Sequence, residues 1–547
     1  MDVLAADGPA RGSPQARSAA LLTALALGSF VWLQLARVDA SLPYPQNWDE
    51  SPILAGAGRV VRDGELNPHV YSYPSLPVYI AAASLALGYV ALNGESAKRV
   101  PIAELGRLAS PFYEQPQAVA WVRKTWVIMF AGALLALATA AGRLAGPWAM
   151  VLCALLSLTG TAAAFSAWNY VNVDIPLVLF SALLVLHLVS SAGSALLRDR
   201  VGIPALLCGA AIACKYTAVV LLIPCAIALW AWSERERGLR LILFVAAALA
   251  GFLVLCPYFL LDLPRFLEGL AFENHHYRSR GHSGMDGTPG WPQLLRYLGF
   301  LGAEYGLASS GFALAGVVAL SRARRVEAIV LLVMAIAWLG FLSRYKVFFV
   351  RNALPVSGLV PLLAAIGVVA AFRALRQWCA RRSARALALR PGLIAGLVCA
   401  GMLILTVPYA KLAASFSAVD SRNRLAAFAV EHLQAKSRLL IPAALPVAAF
   451  TLPRSIQIRV VAFTRPDEVR GHLRRVVNRP MYALVPHFSE RSGWVESRVT
   501  AERAGIAVLP ASRRVVASFP GTPLIPVREG EVCVNPSFDL VRLDAAP

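Results

Sequence analysis

The chain has 547 residues, 58% hydrophobic and only 15% charged, where a soluble globular protein carries roughly a quarter charged residues. Its net charge is +21, yet many of the bases cluster in short loops between apolar runs, as in "SERERGLR" (233–240), "SRARR" (321–325) and "RALRQWCARRSARALALR" (373–390). That is the positive-inside pattern of cytoplasmic loops, and it accounts for the charge without a nucleic-acid partner. Eight cysteines spread singly, with no CxxC, argue against a disulfide framework.

The apolar residues come in blocks, beginning with "AALLTALALGSFVWLQLA" (19–36), each long enough to cross a hydrocarbon core of about 30 Å. The first run has a basic flank at Arg11 and Arg17 and reads as an uncleaved signal anchor, given the spans that follow it. The expected fold is mainly α: a polytopic bundle of about eleven spans near 19–37, 120–142, 146–165, 173–193, 202–214, 216–232, 240–261, 296–320, 326–343, 347–372 and 392–411. Residues 1–18 form a cytoplasmic tail, 19–411 the membrane domain, and 412–547 a separate domain. With the N-terminus inside, the basic loops fall in the cytoplasm. The first long loop, the "FENHHYRSRGHSGMDGTPGW" loop and the C-terminal domain then fall outside. A second arrangement keeps the same parity downstream: "LPVYIAAASLALGYVALNG" (76–94) spans, and 202–232 is one long helix.

The outer loop that follows the first span, "LPYPQNWDESPILAGAGRVVRDGELNPHVYSYPSLPVYI", is too apolar and too rich in proline and tyrosine for a simple solvated connection. "SPILAGAGRVV" predicts a short amphipathic helix, with Ser51 as N-cap and Pro52 at its first position. Asp49 and Glu50 lie just ahead of it. They either complement the helix dipole, a contribution of at most about 1 kcal/mol, or supply a general base at the membrane surface. The tail alternates a helical stretch, "SRNRLAAFAVEHLQ", with β-rich runs "RLLIP", "IQIRVVAF", "MYALVP", "GIAVLP" and "RVVASF", which predicts a small α/β domain.

The "WDES" stretch, then "AGAGRVVRDGELNPHVYSYPSLPVYI", "ELGRLASP", "NYVNVDIPLVLFSALL", "CGAAIACKYTAVVLLIPCAI" and "KVFFVRNALPVSGLVPLLA", form an ordered series. The series resembles the GT-C glycosyltransferases that use polyprenyl-phosphate sugars. Within them it is most similar to the family 39-like enzymes, the protein O-mannosyltransferases and the aminoarabinose transferases that modify lipid A. It departs at the family's Pro-Pro, which is Pro74-Ser75 here, and at its Arg-Tyr, which is Arg351-Asn352. The resemblance favours 76–94 as a helix on the outer surface and 202–232 as two spans. It implies an inverting transfer of a sugar to a glycan, lipid or protein acceptor, with membrane lipid around the donor's tail. Asp49 would be the catalytic base and Glu50 a structural or acceptor-orienting neighbour.

A phosphate leaving the anomeric carbon needs charge stabilisation more than a general acid. The candidate cations are Lys215, Arg344, Lys346 and Arg351. Arg344 and Lys346 equally suit snorkelling to headgroups, and Lys215 equally suits an ion pair with Asp174. Arg351, inside an apolar run, requires an anionic partner. Arg107 matches a family arginine that supports the outer loop or binds substrate. The outer loop with Glu273, His275, His276, His282 and Asp286 offers substrate contacts. A divalent metal is conceivable there, but no i, i+4 histidine pair supports one. Two other classes compete: a transporter or flippase, on the strength of Asp174, Lys215 and the span broken near 214, and a non-catalytic envelope scaffold.

Overall fold

The computed structural model describes residues 13–39, 42, 49–98, 115–160, 171–192, 194, 196–233, 236–281, 286–381, 420–442, 445, 452–474, 479–487, 503, 505–510, 512–520 and 537–543. The expected span at 392–411, the domain boundary at 412, Arg107 and His282 lie outside the described residues.

Among the described residues eight helices are long and apolar enough to cross a membrane, and with the shorter apolar helices they make the expected polytopic bundle. Helix α1 (Pro14–Leu35) starts at Ser13, whose Oγ accepts from the Ala16 amide, with Pro14 in the first turn where no amide donor is needed. Helix α2 (Glu50–Asp63) begins one residue before the expected N-cap Ser51 and ends at Gly64, which adopts the left-handed φ of 68° that closes a helix. Helices α3 (Leu76–Lys98) and α4 (Pro116–Ala145) follow. The long helices Trp291–Ala323 and Leu359–Arg381 cross where Gly316 faces Leu363 and Gly367 faces Phe312. A methyl group at either glycine would overlap the facing carbonyl. Small residues are what let two membrane helices approach this closely.

The contacts decide the two open points of topology. Arg123, in the first turns of α4, bonds to Glu50 of α2 and to the carbonyl of Val38 just past α1. The start of α4 therefore lies at the same end of the bundle as the first long loop. A crossing by Leu76–Gly94 would need a second crossing within residues 95–115. That stretch carries Glu95, Lys98, Arg99, Glu104, Arg107 and Glu114 and cannot span. The packing agrees: Ser84 bonds to the Trp121 carbonyl and the Thr125 hydroxyl, and Trp121 fills the space over Gly88. Gly88 is ~18 Å along the helix from Leu76, yet it still touches the first turns of α4. Helix α3 therefore lies across the end of the bundle, although its length and composition would allow it to span.

The 202–232 stretch is two segments. Ile203–Cys214 ends at Lys215, which is extended (φ −155°, ψ 126°). Tyr216–Trp232 then returns, so that the Arg200 guanidinium reaches the Trp232 carbonyl. The single long helix is excluded.

The C-terminal part is a five-stranded mixed sheet with its own small cores: β1 (Arg438–Pro442), β2 (Gln457–Val461), β3 (Met481–Pro486), β4 (Arg514–Phe519) and β5 (Phe538–Leu543), in the order β2-β1-β3-β5-β4. Strand β1 pairs parallel to β2 and β3, and the β3–β5 and β5–β4 pairs are antiparallel. The helical stretch is Ser421–His432, as its pattern predicts. One expected run is corrected: "GIAVLP" falls in helical and turn geometry, with Gly505 pressed against the Phe463 backbone, and the fifth strand is Phe538–Leu543. The Asn423 amide donates to the Leu42 carbonyl, tying this domain to the first loop.

Candidate functional site

The Asp49 carboxylate sits at the N-terminus of α2 but makes no capping bond. Its two oxygens point elsewhere: Oδ1 accepts from the Tyr73 hydroxyl at 2.9 Å, and Oδ2 lies 3.0 Å from a guanidinium nitrogen of Arg351. The dipole reading therefore does not explain where this side chain goes. Arg351 belongs to a 3₁₀ turn, Val350–Ala353, at the head of the late apolar helix, and its guanidinium lies over the Phe349 ring at 4.6 Å. Its Nε is 3.7 Å from Asp174 Oδ2. The Asp174 Oδ1 atom in turn accepts from Lys215 Nζ at 2.7 Å, and the same ammonium donates to Asn352 Oδ1 at 2.6 Å. Four charged residues from four separate stretches thus form one chain, Asp49–Arg351–Asp174–Lys215, at the loop end of the bundle.

Local structure holds each member. Asn172 Oδ1 accepts from the amides of Asp174 and Ile175 and so starts the helix Asp174–Ser191, and the Asn172 carbonyl takes the Trp126 indole N–H. Asp174 is left with a fully buried carboxylate that faces cations. Lys215 arrives there because the helix breaks at that residue. A lysine in an apolar run needs anionic and polar partners, and the break supplies them. Asn352, where the sequence departs from the family's Arg-Tyr, is the second of these partners. The Trp338 indole fixes its carbonyl at 2.8 Å.

Glu50 goes the other way. Its carboxylate meets Arg123 through two bonds of 2.8 and 2.7 Å, both side chains are 1% exposed, and Oε1 also accepts from the Val171 amide. Glu50 is thus a buried keystone joining α2, α4 and the stretch before Asp174, and it does not face the charged chain. Arg123 was not singled out in the sequence. Only its charge within an apolar helix hinted at a buried partner.

Glu273, on the helix Leu263–His275, joins the cluster. Burial pushes its carboxyl up to about 7. The nearby Lys215 and Arg351 pull it down, Asp49 raises it further, and Ser72 bonds to it. The loop around it packs closely: Tyr71 donates to Asp262 at 2.5 Å and lies against Gly269, and its carbonyl accepts from Tyr216. Burial and the Asp49 charge raise the Tyr73 phenol well above its ordinary value, so it stays protonated and donates. Tyr277 is likewise raised by burial.

The remaining candidates lie apart from the four-residue chain. Lys346 pairs with Asp286 at 3.2 Å, in a backbone junction where the Gly287 amide bonds to the Lys346 carbonyl. Arg344 and His275 are exposed. His276 stacks on Phe272 and meets Tyr277 edge-on. No group of three or more His, Cys, Asp or Glu is placed to hold a metal ion among the described residues.

No model of a known protein family matches this sequence, and no curated protein matches it. Solved structures do match. The chain is similar to ArnT from Cupriavidus metallidurans in the apo state, at TM-score 0.54 and 16% identity, over 96% of this chain and 98% of that one. It is similar to the same protein bound to undecaprenyl phosphate, at TM-score 0.51 and 13% identity over the same shares. The apo oligosaccharyltransferase of Archaeoglobus fulgidus aligns over 85% of this chain and 69% of that one, at TM-score 0.48 and 11% identity. The fold is therefore ArnT-like.

Proposed function

We propose that this chain is an integral-membrane, inverting glycosyltransferase that takes a sugar from a polyprenyl-phosphate donor. The observation that carries the reading is the charged chain itself: a carboxylate, Asp49, paired with Arg351 at one end of an ArnT-like membrane bundle, with the Asp174–Lys215 pair next along the chain. One structure of that fold is bound to undecaprenyl phosphate. The donor's phosphate would lie against Arg351 and Lys215, its lipid tail between helices, and the acceptor on the Asp49 side. Asp49 would take the proton of the acceptor's hydroxyl or amine as that group attacks the anomeric carbon. The bond from that carbon to the phosphate oxygen would break, and the electron pair would leave on polyprenyl phosphate, stabilised by the cations.

Asp174 would hold Lys215 in place. Glu50 would act through structure, and Glu273 would border the acceptor space. The charged chain would face the outer side of a bacterial inner membrane, the side that the positive-inside pattern of the basic loops favours.

The test is the Asp49→Asn variant, assayed in membranes for release of polyprenyl phosphate from a labelled donor. Release by the wild type, and its loss in a variant that folds and binds donor normally, supports the reading. Undiminished release by the variant removes Asp49 as the base. A wild type that moves a lipid-linked sugar across vesicles without releasing polyprenyl phosphate makes the chain a flippase.

A further inference from the structure

Both oxygens of the proposed base are occupied. Tyr73 donates to Oδ1 and Arg351 pairs with Oδ2. With both oxygens engaged, neither is open to take the proton of an acceptor. Beside Asp49 lies an acceptor whose capacity is unfilled: Asp174 Oδ2 is buried and has no hydrogen bond, and Arg351 Nε stands 3.7 Å from it. A charge-assisted bond is about 2.8 Å long. A shift of the guanidinium on the order of 1 Å would therefore close it. The guanidinium lies over the Phe349 ring, a stacked contact that a turn of the planar fork in its own plane would keep.

We infer that Arg351 is a latch on Asp49, opened by the donor's phosphate. The inference rests on the polyprenyl-phosphate reading above. With donor absent, Asp49 and Asp174 balance Arg351 and Lys215, and Arg351 stays on Asp49. An arriving phosphate offers the guanidinium a two-pronged acceptor, and Asp174 Oδ2 receives Nε on the other side. Arg351 leaves Asp49, whose Oδ2 is then open to the acceptor's proton. The base is thus switched on only when the group to be transferred is present, which imposes an order of donor first and acceptor second. Asp174 acts here as a positioning residue: it holds Lys215 with one oxygen and receives Arg351 with the other.

The latch is tested on the full-length protein in detergent micelles. The carboxylates are labelled with a water-soluble carbodiimide and an amine, and the modification of Asp49 is followed by mass spectrometry. Undecaprenyl phosphate is the probe, undecaprenol the control, and retained lipid is measured in the same samples. The expected result is a several-fold faster modification of Asp49 with undecaprenyl phosphate and no change with undecaprenol. Arg351→Gln is expected to be fast without lipid and insensitive to it. Lipid that binds while Asp49 modification stays the same or slows overturns the latch and leaves the glycosyltransferase reading standing. An Arg351→Gln protein in which Asp49 is as protected as in wild type also overturns the latch. Undecaprenyl phosphate that does not bind overturns the donor reading and the latch with it.

Discussion

Asp49 and Glu50, neighbours in the sequence, enter two different charge systems. Asp49 reaches Arg351 at 3.0 Å and is 17% exposed, whereas Glu50 reaches Arg123 at 2.7 Å and is 1% exposed. The first carboxylate can meet a substrate; the second is sealed among helices. Successive residues at a helix start point about 100° apart, so one acidic pair serves the candidate site and the framework beneath it.

Asp49→Asn should lower sugar transfer by about 10²- to 10⁴-fold, the usual contribution of a positioned general base, with little change in thermal stability. Initial rates and melting curves on the same preparation check this.

Glu50→Ala should destabilise the protein by about 3–5 kcal/mol, because it leaves the Arg123 charge buried without its carboxylate. Replacing both residues with apolar side chains of similar volume should restore much of that loss. Unfolding of the purified protein in detergent separates the two outcomes. A Glu50→Ala variant as stable as wild type would contradict the keystone role.

Arg351→Gln and Lys215→Gln should each weaken binding of polyprenyl phosphate by about tenfold or more, since a hydrogen bond to a charged group contributes about 1.5–3 kcal/mol. Arg344→Gln and Lys346→Gln, at residues lying apart from the four-residue chain, should change it by less than about threefold. Equilibrium binding of a labelled lipid phosphate to all four variants provides the comparison.

Glu273 carries a pH dependence. Its carboxyl is raised in the folded protein from 4.5 to about 7, so between those values the folded state holds a proton that the unfolded chain has lost. Stability from this group is present below about 4.5 and falls as pH rises through about 7. Glu273→Gln should therefore gain stability relative to wild type as pH goes from 5 to 8, by on the order of 1–3 kcal/mol. Melting temperatures of both proteins across that range show the sign directly.

Helix α3 should leave both its ends on one side of the membrane. Cysteines introduced at Asp63 and Asn93 should react with a membrane-impermeant maleimide from the same side. Opposite-side labelling would mean that Leu76–Gly94 crosses.

The sequence by itself determined the membrane class and most of the spans, and it singled out Asp49 and Arg351 as candidates, but it left 202–232 open between one long helix and two segments. Block hydrophobicity reports burial in lipid, and a charge inside such a block requires a partner. The sequence also indicated the helix and four of the five strands of the C-terminal domain, through local periodicity. It misassigned "GIAVLP" because an apolar β-rich run looks alike in a strand and in a buried turn, and the close backbone approach at Gly505 is a tertiary fact.

The pairings were decided only by the tertiary structure. Glu50 found Arg123, and of the two partners open to Lys215 the structure holds Asp174 and adds Asn352; loop closure between distant segments leaves no periodic trace that could choose among them. The lie of α3 was decided the same way: its composition suits a span and a surface helix equally, and the Glu50–Arg123 contact fixes which end of α4 the chain returns to.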